Sequence, residues 1–116
     1  MKVEMIYLSQ EDVIRCGSIS MDKAIDDLEE VFRLYDKGDY ILPGKIVMKR
    51  PEPDAEETTG RINAMPGYIG GRFNMPGIKW IGSGPQNPFK YGLPRGSAVI
   101  VLNDPETKVP IAIMDG

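Results

Sequence analysis

Met21, Ala24, Ile25, Leu28, Val31, Phe32 and Tyr35 recur three and four residues apart, and Asp22, Asp26, Asp27, Glu29, Glu30 and Arg33 fill the positions between them. That spacing predicts an amphipathic helix of roughly four to five turns with one apolar stripe. Ser20 stands where an N-cap belongs, acids crowd the start, Arg33 and Lys37 lie near the end, and Gly38 terminates it. Upstream, the apolar run at residues 5–8 reads as a strand. Ser9, with Asp12 three residues on, caps a short helix that stops at Gly17.

Past residue 40 the pattern changes. All ten prolines lie from Pro43 onward, and of the thirteen glycines only Gly17 and Gly38 lie earlier. The remainder predicts short strands joined by turns. Residues 45–49 read as a strand, and the acidic, proline-bearing residues 51–59 as a mobile surface loop. Residues 61–65 form a strand expected to stop at Pro66-Gly67, and 67–77 a loop or wide hairpin. A strand at 78–81 precedes an irregular connection over 82–96. The β-branched run 98–102 predicts a strand buried on both faces, and a turn over 103–108 returns it to a partner at 111–114. The expected fold class is α+β: two N-terminal helices packed on a mixed or antiparallel sheet, within one domain over 1–116. The chain stops at Gly116, directly after an apolar strand, so it is read as part of a longer sequence.

Composition narrows the chemistry. There is no histidine, which excludes a Ser-His-Asp triad, a Cys-His dyad and a His-ligated metal. Cys16 is the one cysteine, so no intrachain disulfide or Cys-x-x-Cys pair forms, as suits a reducing compartment. It is expected to pack as a small apolar group near a helix end. Net charge −3 disfavours nucleic acid. No apolar run is long enough to span a bilayer and no secretory leader is visible, so the expectation is a cytoplasmic protein with no membrane or nucleic-acid partner. The acids between Glu52 and Glu57 do not have calcium-loop spacing, and no metal site is expected. Met48, Met65, Met75 and Met114 are read as core filler.

Gly82-Ser83-Gly84 lacks the third glycine of a dinucleotide fingerprint, since position 87 is Asn, and Pro85 and Pro88 block a helix there. Gly67-Tyr68-Ile69-Gly70-Gly71 fails the same test. Lys79 is more informative. Alternation puts Lys79 and Ile81 on one strand face between the small residues Gly77 and Ser83, leaving room for a ligand beside the ammonium. Arg61, Asn63 and Met65 likewise share a face, and an arginine with an asparagine can bind a carboxylate. If the two strands pair, Arg61 and Lys79 can converge on one anion. The plain alternative for each is a solvated cation on a strand edge. Arg95, after Gly92-Leu93-Pro94, reads as a turn residue, with an anion contact as the alternative.

Several ordered motifs resemble one family. They are Arg61-Ile-Asn-Ala-Met-Pro66-Gly-Tyr68, Gly77-Ile-Lys79-Trp80, Gly92-Leu-Pro94, Leu102-Asn-Asp-Pro-Glu-Thr107 and Pro110-Ile-Ala-Ile-Met-Asp115. Together with Tyr7-Leu-Ser-Gln-Glu-Asp-Val13 they resemble the ornithine cyclodeaminase/mu-crystallin family over essentially the whole chain, and the spelling is most similar to the tyramine oxidase type within that family. The resemblance implies an NAD(P)-dependent, two-domain enzyme, such as a cyclodeaminase (a lyase), an amino-acid dehydrogenase or a ketimine reductase. In such an enzyme a substrate-binding and dimerisation domain frames a Rossmann domain. It implies that Arg61 and Lys79 hold the carboxylate of an amino-acid or imino-acid substrate, and that the protein is a homodimer or higher oligomer. Arg95 stands where many members have Thr, so no cofactor contact is carried over to it. The family's glycine-rich loop and catalytic aspartate do not occur in these residues. The expectation is therefore an N-terminal portion lacking its Rossmann domain, with no catalytic residue, no cofactor bound by this chain alone and no activity on its own. A non-catalytic self-associating or accessory subunit is the alternative.

Overall fold

The computed structural model describes residues 2–49 and 60–116. The proposed mobile loop at 51–59 and its acidic run lie outside the described residues. The chain runs β1 (Ile6–Leu8), α1 (Gln10–Arg15), α2 (Met21–Asp36), β2 (Tyr40–Ile41), β3 (Ile46–Met48), β4 (Arg61–Ile69), β5 (Met75–Ser83), α3 (Asn87–Lys90), β6 (Gly96–Asn103) and β7 (Pro110–Asp115). The strands form one mixed sheet in the order β1-β7-β6-β5-β4-β2, with β3 also on β4. Only the β1–β7 pair is parallel. The fold is α+β, as expected.

Local chemistry explains the helices. Ser9 and Asp12 form a reciprocal capping box: the Asp12 amide donates to Ser9 Oγ at 3.3 Å and the Ser9 amide donates to Asp12 Oδ2 at 3.0 Å. Ser20 Oγ accepts from the Lys23 amide at the start of α2. Cys16 caps the end of α1 but is exposed, not packed.

Both helices lie over one sheet face. Leu8 and Met114 share a recess with Val13 of α1 and Ala24 and Asp27 of α2. The face of α2 turned inward is Ala24, Asp27, Glu30, Val31 and Leu34. The rest of the apolar stripe points outward, with Met21 and Phe32 each 70% exposed. The reason is electrostatic as well as apolar. Arg72, in the β4–β5 turn, donates from Nη2 to Asp27 at 2.7 Å and from Nε to Glu30 at 2.6 Å. These carboxylates hold the Arg72 pKa above its usual value, Glu30 foremost. They rotate α2 so that polar groups of its inner face meet the turn.

The turn itself is tightly built. The Gly71 amide donates to Asp39 Oδ2 at 2.8 Å, and Gly71 has φ +56° in close approach to Leu34, a buried residue of α2. A Cβ at Gly71 would stand 2.8 Å from Leu34 Cδ2. We expect Gly71→Ala to destabilise the protein by about 1–3 kcal/mol, combining backbone strain and overpacking; a denaturant midpoint unchanged from wild type would contradict this packing.

Several strands depart from the sequence reading. β4 runs through Pro66 and Gly67 to Ile69. Proline is tolerated because Pro66 lies between the two partial partners on the outer side of β4: β3 pairs only up to Ala64 and β2 only from Tyr68. β5 accordingly spans Met75–Ser83, paired with β4 in continuous register. Pro88 does not block a helix, because it lies in the first turn of α3, where its missing N–H has no helical acceptor to lose. β6 is not buried on both faces: Val99 is 38% exposed, because α1 and α2 lie over the other side of the sheet. Met48, expected as core, is exposed for the same reason.

The β6–β7 turn is held by Asp104. Its Oδ1 accepts from the Thr107 amide at 2.7 Å, the Thr107 hydroxyl at 2.8 Å and the Glu106 amide at 3.0 Å. These donors, the Thr107 amide foremost, hold the carboxyl below the usual aspartate range. A depressed folded-state pKa contributes stability above the unfolded value and loses it as pH falls through the folded one. We expect Asp104→Asn to lower the melting temperature at neutral pH and to narrow its difference from wild type under strongly acidic conditions. A difference independent of pH would remove Asp104 ionisation from the account.

Candidate functional site: a row of cations on the helix-bearing face

Strand register fixes where Arg61 and Lys79 lie. Residues opposite one another share a face. Lys79 is aligned with Met65 on β4 and Ile100 on β6, and Ile100 in turn with Met114. Arg61 is aligned with Ser83, and Ser83 with Gly96. Asn63 and Ile81 form the row between. Met114 belongs to the recess under α1 and α2, so all three rows are on the helix-bearing face. The convergence expected from sequence is therefore partial. Arg61 and Lys79 share a face, but four residues along a strand separate their backbones by about 13 Å.

They also line different recesses. Lys79 borders an open apolar groove of about 410 Å3 with Val31, Leu42, Met65, Ile100 and Leu102. Here α2 and the β2 segment form the wall. Arg61 borders a cavity of about 720 Å3 at the end of β4 and β5 that reaches round to the opposite face, where Met48, Ile62, Gly82 and Ser97 line it. Gly60 has φ +87°, and a Cβ there would run into the Ser83 carbonyl. A glycine is what lets the chain enter β4 beside this cavity.

A buried polar group lies in the row between Arg61 and Lys79. Asn63 is 8% exposed, and its Oδ1 has no hydrogen-bond partner among the described residues. A buried acceptor without a donor costs about 1–3 kcal/mol. It calls for a water or a ligand N–H.

Lys49, which the sequence reading does not single out, and Arg95, which it favours as a turn residue, join Arg61. Lys49 follows β3, whose Met48 is opposite Ile62, bringing Lys49 level with Arg61. Arg95 does sit in a loop, as read from sequence, but the loop folds back on β5. The Gly84 amide donates to the Arg95 carbonyl at 2.7 Å, and Asn87 Nδ2 donates to the Pro94 carbonyl at 3.2 Å. Lys49, Arg61 and Arg95 thereby line one small recess of about 180 Å3 with Gly60, Ser83 and Pro85. Nothing local in the sequence marks this set, which depends on pairing across three strands.

The glycine clusters do not form a dinucleotide loop. Gly82 and Ser83 are paired within β5 to Ser97 and Gly96, and the helix beyond them, α3, has four residues. These residues do not fit the phosphate-binding turn of a dinucleotide site, which needs a glycine loop opening a full helix. Among the described residues, no group of three or more His, Cys, Asp or Glu is placed to hold a metal ion. No described helix is long and apolar enough to cross a membrane.

Residues 3–116 match the model of the ornithine cyclodeaminase/mu-crystallin family. The chain belongs to that family. It is similar to N-((2S)-2-amino-2-carboxyethyl)-L-glutamate dehydrogenase of Staphylococcus aureus, with 41% identity over 99% of this chain and 34% of that protein. Among solved structures it resembles an archaeal alanine dehydrogenase dimer with bound NAD, with 41% identity, a TM-score of 0.79, and coverage of 97% of this chain and 31% of that one. It also resembles the Thermococcus litoralis Δ1-pyrroline-2-carboxylate reductase in complex with NADH and L-proline, with 32% identity, a TM-score of 0.82, and coverage of 97% and 32%. The chain thus spans about a third of the length of the relatives it matches.

Proposed function

We propose that this chain is the N-terminal substrate-binding and dimerisation portion of an NAD(P)-dependent oxidoreductase or deaminase acting on an amino acid or imino acid. The observation that carries the reading is the row on the helix-bearing face, with Lys79 in an apolar groove, Arg61 at the strand end and a buried, unpartnered Asn63 acceptor between them. An ammonium and a guanidinium suit a carboxylate, the guanidinium by a bidentate fork. A buried carbonyl acceptor suits the N–H of an amine or imine. Dehydrogenase and reductase relatives, two of them seen with NAD or NADH, support the class of reaction.

On this reading the chain's own residues bind and orient. Lys79 and Arg61 fix the carboxylate, and the groove wall of Val31, Met65 and Ile100 excludes water from its apolar neighbour. The dinucleotide is held by the rest of the protein, since these residues offer it no loop. The test is turnover by the full-length protein with NAD(H) and NADP(H) across a panel of amino and imino acids. Cofactor-dependent turnover of at least one is expected. Absence of turnover together with absence of amino-acid binding would remove this reading.

A further inference from the structure

The groove beside Lys79 has two parts, and the tip of the β4–β5 hairpin joins them. Its floor is the hairpin, with Met65 on β4 and Lys79 on β5. Its wall is α2 and the segment after it, through Val31, Tyr40 and Leu42. At the tip, successive residues reach for that wall. The Gly70 amide donates to the Asp39 carbonyl at 3.0 Å and the Gly71 amide to Asp39 Oδ2 at 2.8 Å, one residue before Tyr40. Gly71 lies against Leu34, three residues beyond Val31. Arg72 donates to Asp27 and Glu30, on the other side of Val31. The Phe73 ring backs the guanidinium, with its centroid 4.2 Å from the guanidinium carbon. The Tyr35 and Tyr40 rings stack at 4.6 Å and close the corner between α2 and β2.

We propose that Arg72 is a positioning residue for the Lys79 groove: by bridging Asp27 and Glu30 it holds Val31 over the floor, and substrate affinity depends on that bridge. This deepens the reading above and rests on it. Arg72 does not line the groove. It lies in the turn before Met75, and Met75 is four residues, about 13 Å along β5, from Lys79. Its effect on a carboxylate at Lys79 therefore passes through α2. One exposed ion pair holds little, but here a single guanidinium is shared by two carboxylates three residues apart on one helix face. The planar fork fixes the rotation of the helix about its axis, which an ammonium does not do. The apolar contact of Leu34 with Gly71 sets the distance of α2 from the turn and leaves that rotation free. A displacement of about 0.5–1 Å at Val31 forfeits a quarter to a half of a contact's attraction. It also admits water beside the ammonium, where the higher dielectric weakens its pull on a carboxylate.

The experiment is steady-state kinetics of the full-length protein with NAD(H) and NADP(H), on L-alanine, L-proline, L-ornithine and L-glutamate and their imino counterparts. Arg72→Met is expected to raise KM at least about fivefold on whichever of these is turned over, the scale on which members of one network couple, and to leave kcat within about twofold. Arg72→Lys is expected to fall between wild type and Arg72→Met, and it decides the matter alone if Arg72→Met does not fold. Glu30→Gln added to Arg72→Met is expected to raise KM no further, since both break one bridge. Ser9→Ala removes a helix cap away from the groove and is the control for lost stability. It is expected to lower the melting temperature and leave KM at the wild-type value. A wild-type KM in both Arg72 variants, or an equal rise in Ser9→Ala, overturns the positioning role. If Lys79→Gln raises KM in that case, the carboxylate reading stands without it. If none of these compounds is turned over or bound, that reading fails and this inference fails with it.

Discussion

Lys79→Ala in the full-length protein is expected to lower kcat/KM for its amino-acid or imino-acid substrate by about tenfold to a hundredfold. A charge-assisted contact contributes about 1.5–3 kcal/mol, which sets that range. Arg61→Ala is expected to act in the same direction. Both residues lie on the surface of a recess and not inside a packed core, so thermal melting should move little. Two solvated surface cations would predict a stability change within about 0.5 kcal/mol and wild-type kinetics. Steady-state kinetics beside a melting curve separates these outcomes. Unchanged specificity constants in both variants would leave family membership intact and remove the carboxylate clamp.

The second large effect concerns association. On the sheet face away from the helices, register aligns Tyr7 with Ile113, Val101 and Ile78, and Trp80 with Val99 and Ala64. Tyr7 is 71%, Trp80 46% and Val99 38% exposed. An apolar sheet face that the described residues leave exposed is the signature of an interaction surface. We expect the full-length protein to be a dimer or larger at high micromolar concentration, held through this face. Trp80→Asp or Val99→Asp places a charge in the middle of it. Desolvating an unpaired carboxylate costs enough to weaken such an interface by about a hundredfold or more. Light scattering of wild type and variants is the check. A stable wild-type monomer at that concentration would refute the association, and variants that associate as wild type does would place the contact elsewhere.

Much of this is legible along the chain, for reasons that differ by element. Both N-terminal helices carry their information locally, in the Ser9–Asp12 box, the Ser20 cap and the stripe of α2. What the stripe does not show is the side that α2 buries. That depends on Arg72, more than thirty residues later in the chain, capturing Asp27 and Glu30. The long hairpin of β4 and β5 is cut short in the sequence reading because Pro66 and Gly67 look like a turn. Proline is permitted there by a gap between two short partner strands, a fact of sheet topology and not of local propensity. Arg61 and Lys79 stand out because alternation sets each among small or polar neighbours. Lys49 and Arg95 do not, since only the register of β3 on β4 and the fold-back of the 84–95 loop bring them to Arg61.

The parallel pairing of β1 with β7 has a temporal consequence. Ile6 meets Ala112, and Leu8 meets Met114, so during synthesis β1 waits about a hundred residues for its mate. Contacts of such separation form late, because the loop entropy must be met before the pairing rewards it. Until β7 has left the ribosome, α1 lacks the floor formed by Met114, and the hairpin of β4 and β5 is the largest assembly available to nucleate the sheet. Nascent chains arrested before residue 110 should therefore protect the amides of β4 and β5 while leaving those of β1 free to exchange. Of the described strands, β1 is then the last to be secured, and its docking closes the floor beneath α1.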